Sequence, residues 1–202
     1  AKRYLDGIKN SVLTAFYTPP AVVDALTSAM LESGVKPVRF LDPSAGTGIF
    51  GQYADLANPS AEITCFEKDP LTALILKHLN PTFTVRAQGF ESIEGKYNGY
   101  YDVIASNIPY GDVALFDPAF STHIDPVRRQ GTRTLHNYFF MKSVDTVRDG
   151  GIIAFITSQG VLNSEQNRPV REWLAQRCNV VFAVRLPNNL FTDYAGTEVG
   201  SD

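Results

Sequence analysis

Cysteine is scarce in this chain, and its two residues, Cys65 and Cys178, lie far apart in apolar or helical surroundings. Two isolated thiols cannot form the disulfide framework of a small secreted domain, so they read as buried free thiols in a reducing cytoplasm. Histidine is nearly as rare. His78, His123 and His136 stand alone, and no Cys/His spacing suits zinc or another metal. No run is long and apolar enough to span a bilayer, and the N-terminus has no signal-peptide pattern. Basic charge is not in excess either. Eighteen Lys and Arg against 21 Asp and Glu give a formal net charge of -3, which argues against a module that coats nucleic acid with its whole surface. A local basic contact is still open: Arg128-Arg129-Gln130-Gly131-Thr132-Arg133 is the candidate, and the same stretch also reads as a solvated loop.

What is present suits one large domain. The 202 residues, 44% of them hydrophobic, can bury a core without staples. The missing initiator Met and the abrupt Gly200-Ser201-Asp202 end predict a piece of a longer protein. Short β-branched or aromatic runs alternate with helical patterns. Pro19-Pro20 opens a helix running to about Ser33 and closed by Gly34. Strands are expected at 38–41, 62–66, 83–87, 101–106, 152–157 and 180–186, with a seventh beginning at Thr197-Glu198-Val199. Helices are expected from Ile49 to about Leu56, Pro70 to about Leu79, His136 to Val147 (ended by Asp149-Gly150-Gly151) and Arg168 to Arg177. Residues 111–135 form a long irregular loop, the kind that is usually functional. Near-continuous apolar strands between helices imply a mostly parallel sheet covered on both faces.

The chemistry concentrates at strand ends. Gly46-Thr47-Gly48-Ile49-Phe50-Gly51 fits G-x-G-x-x-G between a strand and a helix, and Glu67 ends the next strand. Glycines let the backbone approach a ligand closely, and the acid can take both ribose hydroxyls, so the pattern predicts a nucleoside-containing cofactor. A nicotinamide enzyme would set its helix N-terminus against a pyrophosphate. Asp42, at the tip of the first strand, would repel that pyrophosphate and suits the cationic end of S-adenosylmethionine (SAM) instead. Further on, Asn107-Ile108-Pro109-Tyr110 follows the apolar run 101–106. The Asn carbonyl can accept one hydrogen of a planar amine. Pro109 fixes φ and favours a turn in which the Ile108 carbonyl accepts the second, and Tyr110 can stack on the ring.

Set in order, these motifs resemble an N6-adenine DNA methyltransferase, in the amino-methyltransferase group that places its SAM motifs before its catalytic ones. Ala15-Phe16-Tyr17-Thr18-Pro19-Pro20 is similar to that family's N-terminal motif, and 40–48 to its SAM loop, Asp-Pro-x-x-Gly-x-Gly. Phe66-Glu67-Lys68-Asp69-Pro70 resembles the ribose-binding strand end, and 107–110 stands where the family has Asn-Pro-Pro-Tyr. His136-Asn137-Tyr138-Phe139-Phe140, Gly150-Gly151-Ile152 with Thr157-Ser158, and Leu186-Pro187 continue the match. Ile108 replaces the family's first Pro, and Asn-(Ile/Leu)-Pro-Tyr also resembles the motif of ribosomal RNA adenine dimethyltransferases.

The resemblance implies a three-layer Rossmann-like α/β fold, mostly parallel with an antiparallel last strand. It makes 1–202 one catalytic domain, with 1–35 as a helical segment carrying Thr-Pro-Pro, 111–135 as a loop near the site, and no target-recognition domain. SAM would be held by Tyr17, Thr18, Pro19, Asp42, Pro43, Ser44, Ala45, Gly46, Gly48, Glu67, Lys68, Gln88, Gly89, Phe90 and Asn107. Gln88, Glu91 or a backbone N–H would replace the family's usual acid for the cofactor adenine. Asn107, Ile108, Pro109 and Tyr110 would be catalytic, transferring methyl directly to a flipped adenine of double-stranded DNA, without metal or covalent intermediate. Phe191 or a loop aromatic is a candidate second face for the base, and Phe139 and Phe140 are expected beneath the site. An RNA adenine or protein-glutamine methyltransferase, and a non-catalytic SAM-fold module of a larger DNA-processing protein, are the alternatives.

Overall fold

The computed structural model describes residues 18–109, 111 and 113–187. After Pro19, helix α1 (Pro20–Glu32) leads into strand β1 (Arg39–Asp42). Helix α2 (Ile49–Ala57), strand β2 (Glu62–Phe66), helix α3 (Pro70–Leu79) and strand β3 (Thr84–Arg86) follow. Two single 3₁₀ turns then precede strand β4 (Tyr101–Asn107). Helices α4 (Pro118–Ser121), α5 (Pro126–Gly131) and α6 (Leu135–Thr146) come next, then strand β5 (Val147–Ile156) and helices α7 (Gly160–Asn163) and α8 (Arg168–Ala175). The five described strands form one sheet in the order β3-β2-β1-β4-β5, and each described pairing is parallel.

Alternation of side chains along the strands makes two cores. Phe40, Ile63, Cys65, Val103 and Ala105 face the side covered by α1, α2 and α3, where Val23, Phe50, Ala54 and Leu76 are buried. Leu41, Phe66 and Ile104 face the other side, with Phe120, Tyr138, Phe139, Met141, Val170 and Trp173 from the later helices. Two-sided burial is why these strands read as continuous apolar runs. Both thiols are free, and burial pushes the fully enclosed Cys65 well above the ordinary thiol range.

Three expectations need correction. Residues 111–135 are not an irregular loop: Asp117-Pro118 and Asp125-Pro126 each start a helix, with the Asp side chain capping a backbone N–H and Pro in the first turn. Asp149-Gly150-Gly151 lies inside β5, where a register shift against Tyr101–Val103 absorbs the extra residues; the helix ends at Thr146. Residues 180–186 form no strand. Val180 and Val181 are 81% and 86% exposed, and no described strand pairs with them. Apolar β-branched composition does not make a strand unless a neighbouring strand pairs with it. The expected seventh, antiparallel strand at 197–199 lies outside the described residues.

Candidate active site

Strand β1 pairs with β2 on one side and β4 on the other, so the chain turns in opposite directions at the β1/β4 boundary. Beyond the carboxyl ends of two such strands a crevice opens, the usual ligand position in an open α/β sheet. Asp42 ends β1 and Asn107 ends β4, so the topology brings together two residues 65 positions apart.

The loop after β1 is tied down almost atom by atom. Ser44 N–H donates to Asp42 Oδ1 (3.1 Å), Ala45 N–H to the Phe66 carbonyl (2.9 Å), and Gly46 N–H to Glu67 Oε2 (2.9 Å). Gly46 and Gly48 take φ of +54° and +95°, a region L side chains rarely adopt. A Cβ on Gly48 would also overlap Leu76 and Asn80, and one on Gly51 would strike the Phe83 ring. The third glycine therefore serves the close approach of α2 to the sheet.

Asp42 is fully buried, and desolvation pushes its pKa up to about 7; the Ser106 and Ser44 hydrogen bonds oppose that, and nearby Glu67 adds to it. Its Oδ1 accepts from Ser106 Oγ at 2.7 Å, whereas Oδ2 is buried with no partner among the described residues. Ser106 Oγ also lies 3.3 Å from the Ser44 carbonyl. A buried carboxylate with one oxygen still to satisfy is a receptor for a cation, so these residues fit the sulfonium-bearing amino acid of SAM. Burial likewise raises Glu67, whose oxygens accept from Gly46 N–H and, at 2.8 Å, from Asp69 N–H. Each oxygen keeps a second lone pair for a ribose hydroxyl.

The other expected residues differ in burial and in their local partners. Thr18, Pro19, Pro43 and Ala45 are buried, and Ser44 is half-buried. Gln88 is exposed and accepts from Ser92 Oγ; Lys68 is exposed, with Glu91 3.8 Å away. Gly89 lies directly under the Glu91 carboxylate. Phe90 is 1% exposed, its ring packed edge-on to Phe66 and Tyr138 and tilted against Phe139, so it is part of the second core. Phe139 and Phe140 are core residues as expected, Phe140 packing on Phe155. Tyr17, Tyr110 and Phe191 lie outside the described residues.

Ile108 has a physical reason to differ from proline. Its N–H donates to the Ile156 carbonyl (3.1 Å), extending the β4–β5 ladder by one residue, and its side chain is 1% exposed in the second core. Proline could not make that bond. The backbone carbonyl, the atom that would grip an amine, is common to both residues.

Two features escaped the sequence reading. Ser106, a buried hydroxyl directly after the apolar run Val103-Ile104-Ala105 and before Asn107, joins the loop after β1 to the tetrapeptide; its polarity there was the signal. Asp117 anchors the 111–135 segment from below, its Oδ2 accepting from the Tyr138 hydroxyl (2.7 Å) and Lys142 Nζ (3.1 Å). Burial works to raise Asp117, but Tyr138 and Lys142 outweigh it and hold it below the ordinary carboxylate range. Arg128, a candidate for nucleic-acid contact, instead forms a bidentate pair with Asp145 and covers the Phe120 ring at 4.2 Å.

Residues 60–191 match the Eco57I restriction-modification methylase family, well over half of the chain. The chain belongs to that family. Its similarity to Defense against restriction protein B of Escherichia phage P1 is 24% identity over 200 residues, 97% of this chain and 8% of that protein. The type II methyltransferase M.XamI of Xanthomonas campestris pv. amaranthicola is 27% identical over 158 residues, 71% of this chain and 29% of the relative. The chain thus spans under a third of either curated relative. Among solved structures, the modification subunit assigned to a type I restriction enzyme of Vibrio vulnificus YJ016 superposes with a TM-score of 0.74 at 20% identity, covering 93% of this chain and 43% of that one. A protein of Listeria monocytogenes assigned to the class I SAM-dependent methyltransferases gives 0.72 at 19% identity, covering 91% and 58%. The fold is the Rossmann-like methyltransferase fold, and its cofactor is SAM.

Proposed function

We propose that this chain is the catalytic domain of an adenine-specific DNA methyltransferase, acting on the exocyclic N6 of a base flipped out of the duplex. The observation that carries the reading is the juxtaposition at the β1/β4 switch point: a buried carboxylate with a free oxygen ends one strand and Asn107 ends the next, with Ser106 bonded across. The restriction-modification family and the M.XamI likeness support DNA as substrate.

When bound, SAM supplies a methyl group activated by its sulfonium sulfur. Asp42 balances the cofactor's cationic end, with Thr18 and Pro19 beside it, and Glu67 takes the ribose hydroxyls. Lys68 would stand with Glu67 at the ribose, and Gln88 and Gly89 would border the adenine end, with Phe90 fixing their turn from the core. Asn107 Oδ1 accepts one amine hydrogen and the Ile108 carbonyl the other, which favours a tetrahedral nitrogen with a freer lone pair. Tyr110 stacks on the base; an adenine paired in a duplex is out of reach until it is flipped. Positioning provides much of the acceleration. Target recognition belongs to a further domain or subunit.

Tritiated SAM offered in parallel to unmethylated plasmid, total RNA and a protein extract tests the assignment. Label recovered as N6-methyladenine in DNA is the expected result. Label found only in RNA or only in glutamine side chains would overturn it.

A further inference from the structure

The 111–135 segment sorts its charges and its aromatics. Asp117 is 3% exposed and bonded to Tyr138 and Lys142 beneath it, and Asp125 is taken up by the Val127 N–H and, at 3.0 Å, the Trp173 indole N–H. Arg128 also turns inward, to Asp145 and Phe120. Among the described charged residues of the segment, what remains outside is basic. Arg129 is exposed, its guanidinium bonds to the neutral carbonyls of His123 and Ile124, and it forms no ion pair among the described residues. Arg133 is exposed and meets no carboxylate among the described residues.

The apolar side is equally specific. Phe116 is 75% exposed, yet it sits immediately before Asp117, the most firmly anchored residue of the segment. A large ring held in water on a rigid mount, without a described aromatic neighbour, calls for a partner that can stack. Val113, 60% exposed, lies on the same stretch. Two backbone bonds fix the stretch against the residues around Arg133: Leu115 N–H donates to Thr132 O (2.9 Å), and Leu135 N–H to Gly111 O (3.3 Å). Gly111 directly follows the tetrapeptide. Phe116 and Arg133 therefore each adjoin a partner of the Leu115–Thr132 backbone bond, on a stretch that starts at Gly111, directly after the tetrapeptide.

We infer that this surface, with Phe116 as a stacking platform and Arg133 as a phosphate contact, holds the DNA strand beside the target base. The inference rests on the N6-adenine reading and adds the contact residues. A base offers a π-face to Phe116 and the backbone an anion to Arg133, the combination that single-stranded nucleic acid requires. A duplex opened at the target base presents both. The net charge of -3 is compatible with such a contact because the site needs only local positive charge.

The test is fluorescence anisotropy of the 202-residue protein with a labelled duplex carrying an unpaired adenine, across a sodium chloride series. Phe116→Ala is expected to weaken binding about five- to hundredfold, and Phe116→Trp to retain it. Arg133→Gln is expected to reduce the slope of log affinity against log salt by about 1. SAM affinity and thermal stability should be unchanged in all three, since both side chains are exposed. Wild-type protein without salt-dependent binding, or variants that bind as wild type does, would overturn the surface. Methyl transfer is read separately. Label in DNA together with unchanged variant binding removes the surface and leaves the N6 reading. Label only in RNA or protein, with DNA binding still lost in the variants, removes the reading and leaves the surface.

Discussion

Ser106 Oγ donates a 2.7 Å hydrogen bond to Asp42 Oδ1, and that bond joins the carboxyl ends of the two strands that flank the switch point. It does two things. It favours the ionised form of a carboxylate that burial drives toward neutrality, and it fixes the strand residue immediately before Asn107. The loop after β1 and the strand leading to Asn107 thus share one side chain.

The pH dependence of cofactor affinity follows from this pair. A cation prefers ionised Asp42, so SAM affinity should rise from pH 5.5 toward pH 8, by up to about tenfold per unit below the midpoint near 7. Ser106→Ala removes an interaction with the ionised form and should move the midpoint upward; Asp42→Asn should flatten the profile. The groups facing Asp42 are Cys65 from β2, Glu67 directly after it, Ser44 and Ser106, and neither Ser titrates. Calorimetric titration at a series of pH values checks the profile. An equal loss at every pH in Ser106→Ala would reduce Ser106 to a packing role.

Stability of the ligand-free protein should move the other way. An aspartate raised from its ordinary value near 4 to about 7 contributes stability that is fully present below the ordinary value and is lost as pH rises through the folded one. Relative to wild type, Asp42→Asn should therefore gain stability as pH rises from about 4 to about 7, with no further gain above. Urea unfolding at several pH values measures the difference.

Asn107→Ala should cut methyl transfer by a hundredfold or more, the order expected when one preorganised hydrogen-bonding group is removed, while SAM affinity stays within about threefold. Single-turnover label transfer, with affinity measured in parallel, separates the two. Full transfer by this variant would end its catalytic assignment.

Gly48→Ala should lose both stability and cofactor affinity, since it combines a left-handed φ of +95° with overlap against Leu76 and Asn80. Gly51→Ala meets only the Phe83 and Ile63 side chains and should lose stability alone, about 1–3 kcal/mol by overpacking. Denaturant midpoints and SAM titration distinguish the pair.

Asp117→Ala leaves Lys142 and Tyr138 without their buried acceptor and should cost about 3–5 kcal/mol. Because Asp117 is held below the ordinary carboxylate range, its contribution is present above that range and fades as pH falls through it. The deficit of the variant should therefore shrink in acid, which thermal unfolding against pH would show.

Much of this molecule is local, and local features are legible in sequence. Gly46 and Gly48 announce a turn that only glycine takes easily, Pro70 and Leu79 bound a helix found at those residues, and two-sided burial encloses every residue of 63–66, where three of four are apolar. The Asp-Pro pairs at 117 and 125 carried a helix signal just as local, and reading the whole segment as loop passed over it. Residues 180–186 show the opposite limit: β-branched composition is a property of the segment, but a strand is a property of a pair. The sequence by itself determined the glycine turn after β1 and the acid after β2, because each is set by a few adjacent residues. Only the tertiary structure decided that Ser106 would bridge Asp42 and that Arg128 would turn inward while Arg133 stays out. Those choices depend on which strands neighbour one another and which carboxylates lie within reach, distances that the order of residues along the chain does not contain.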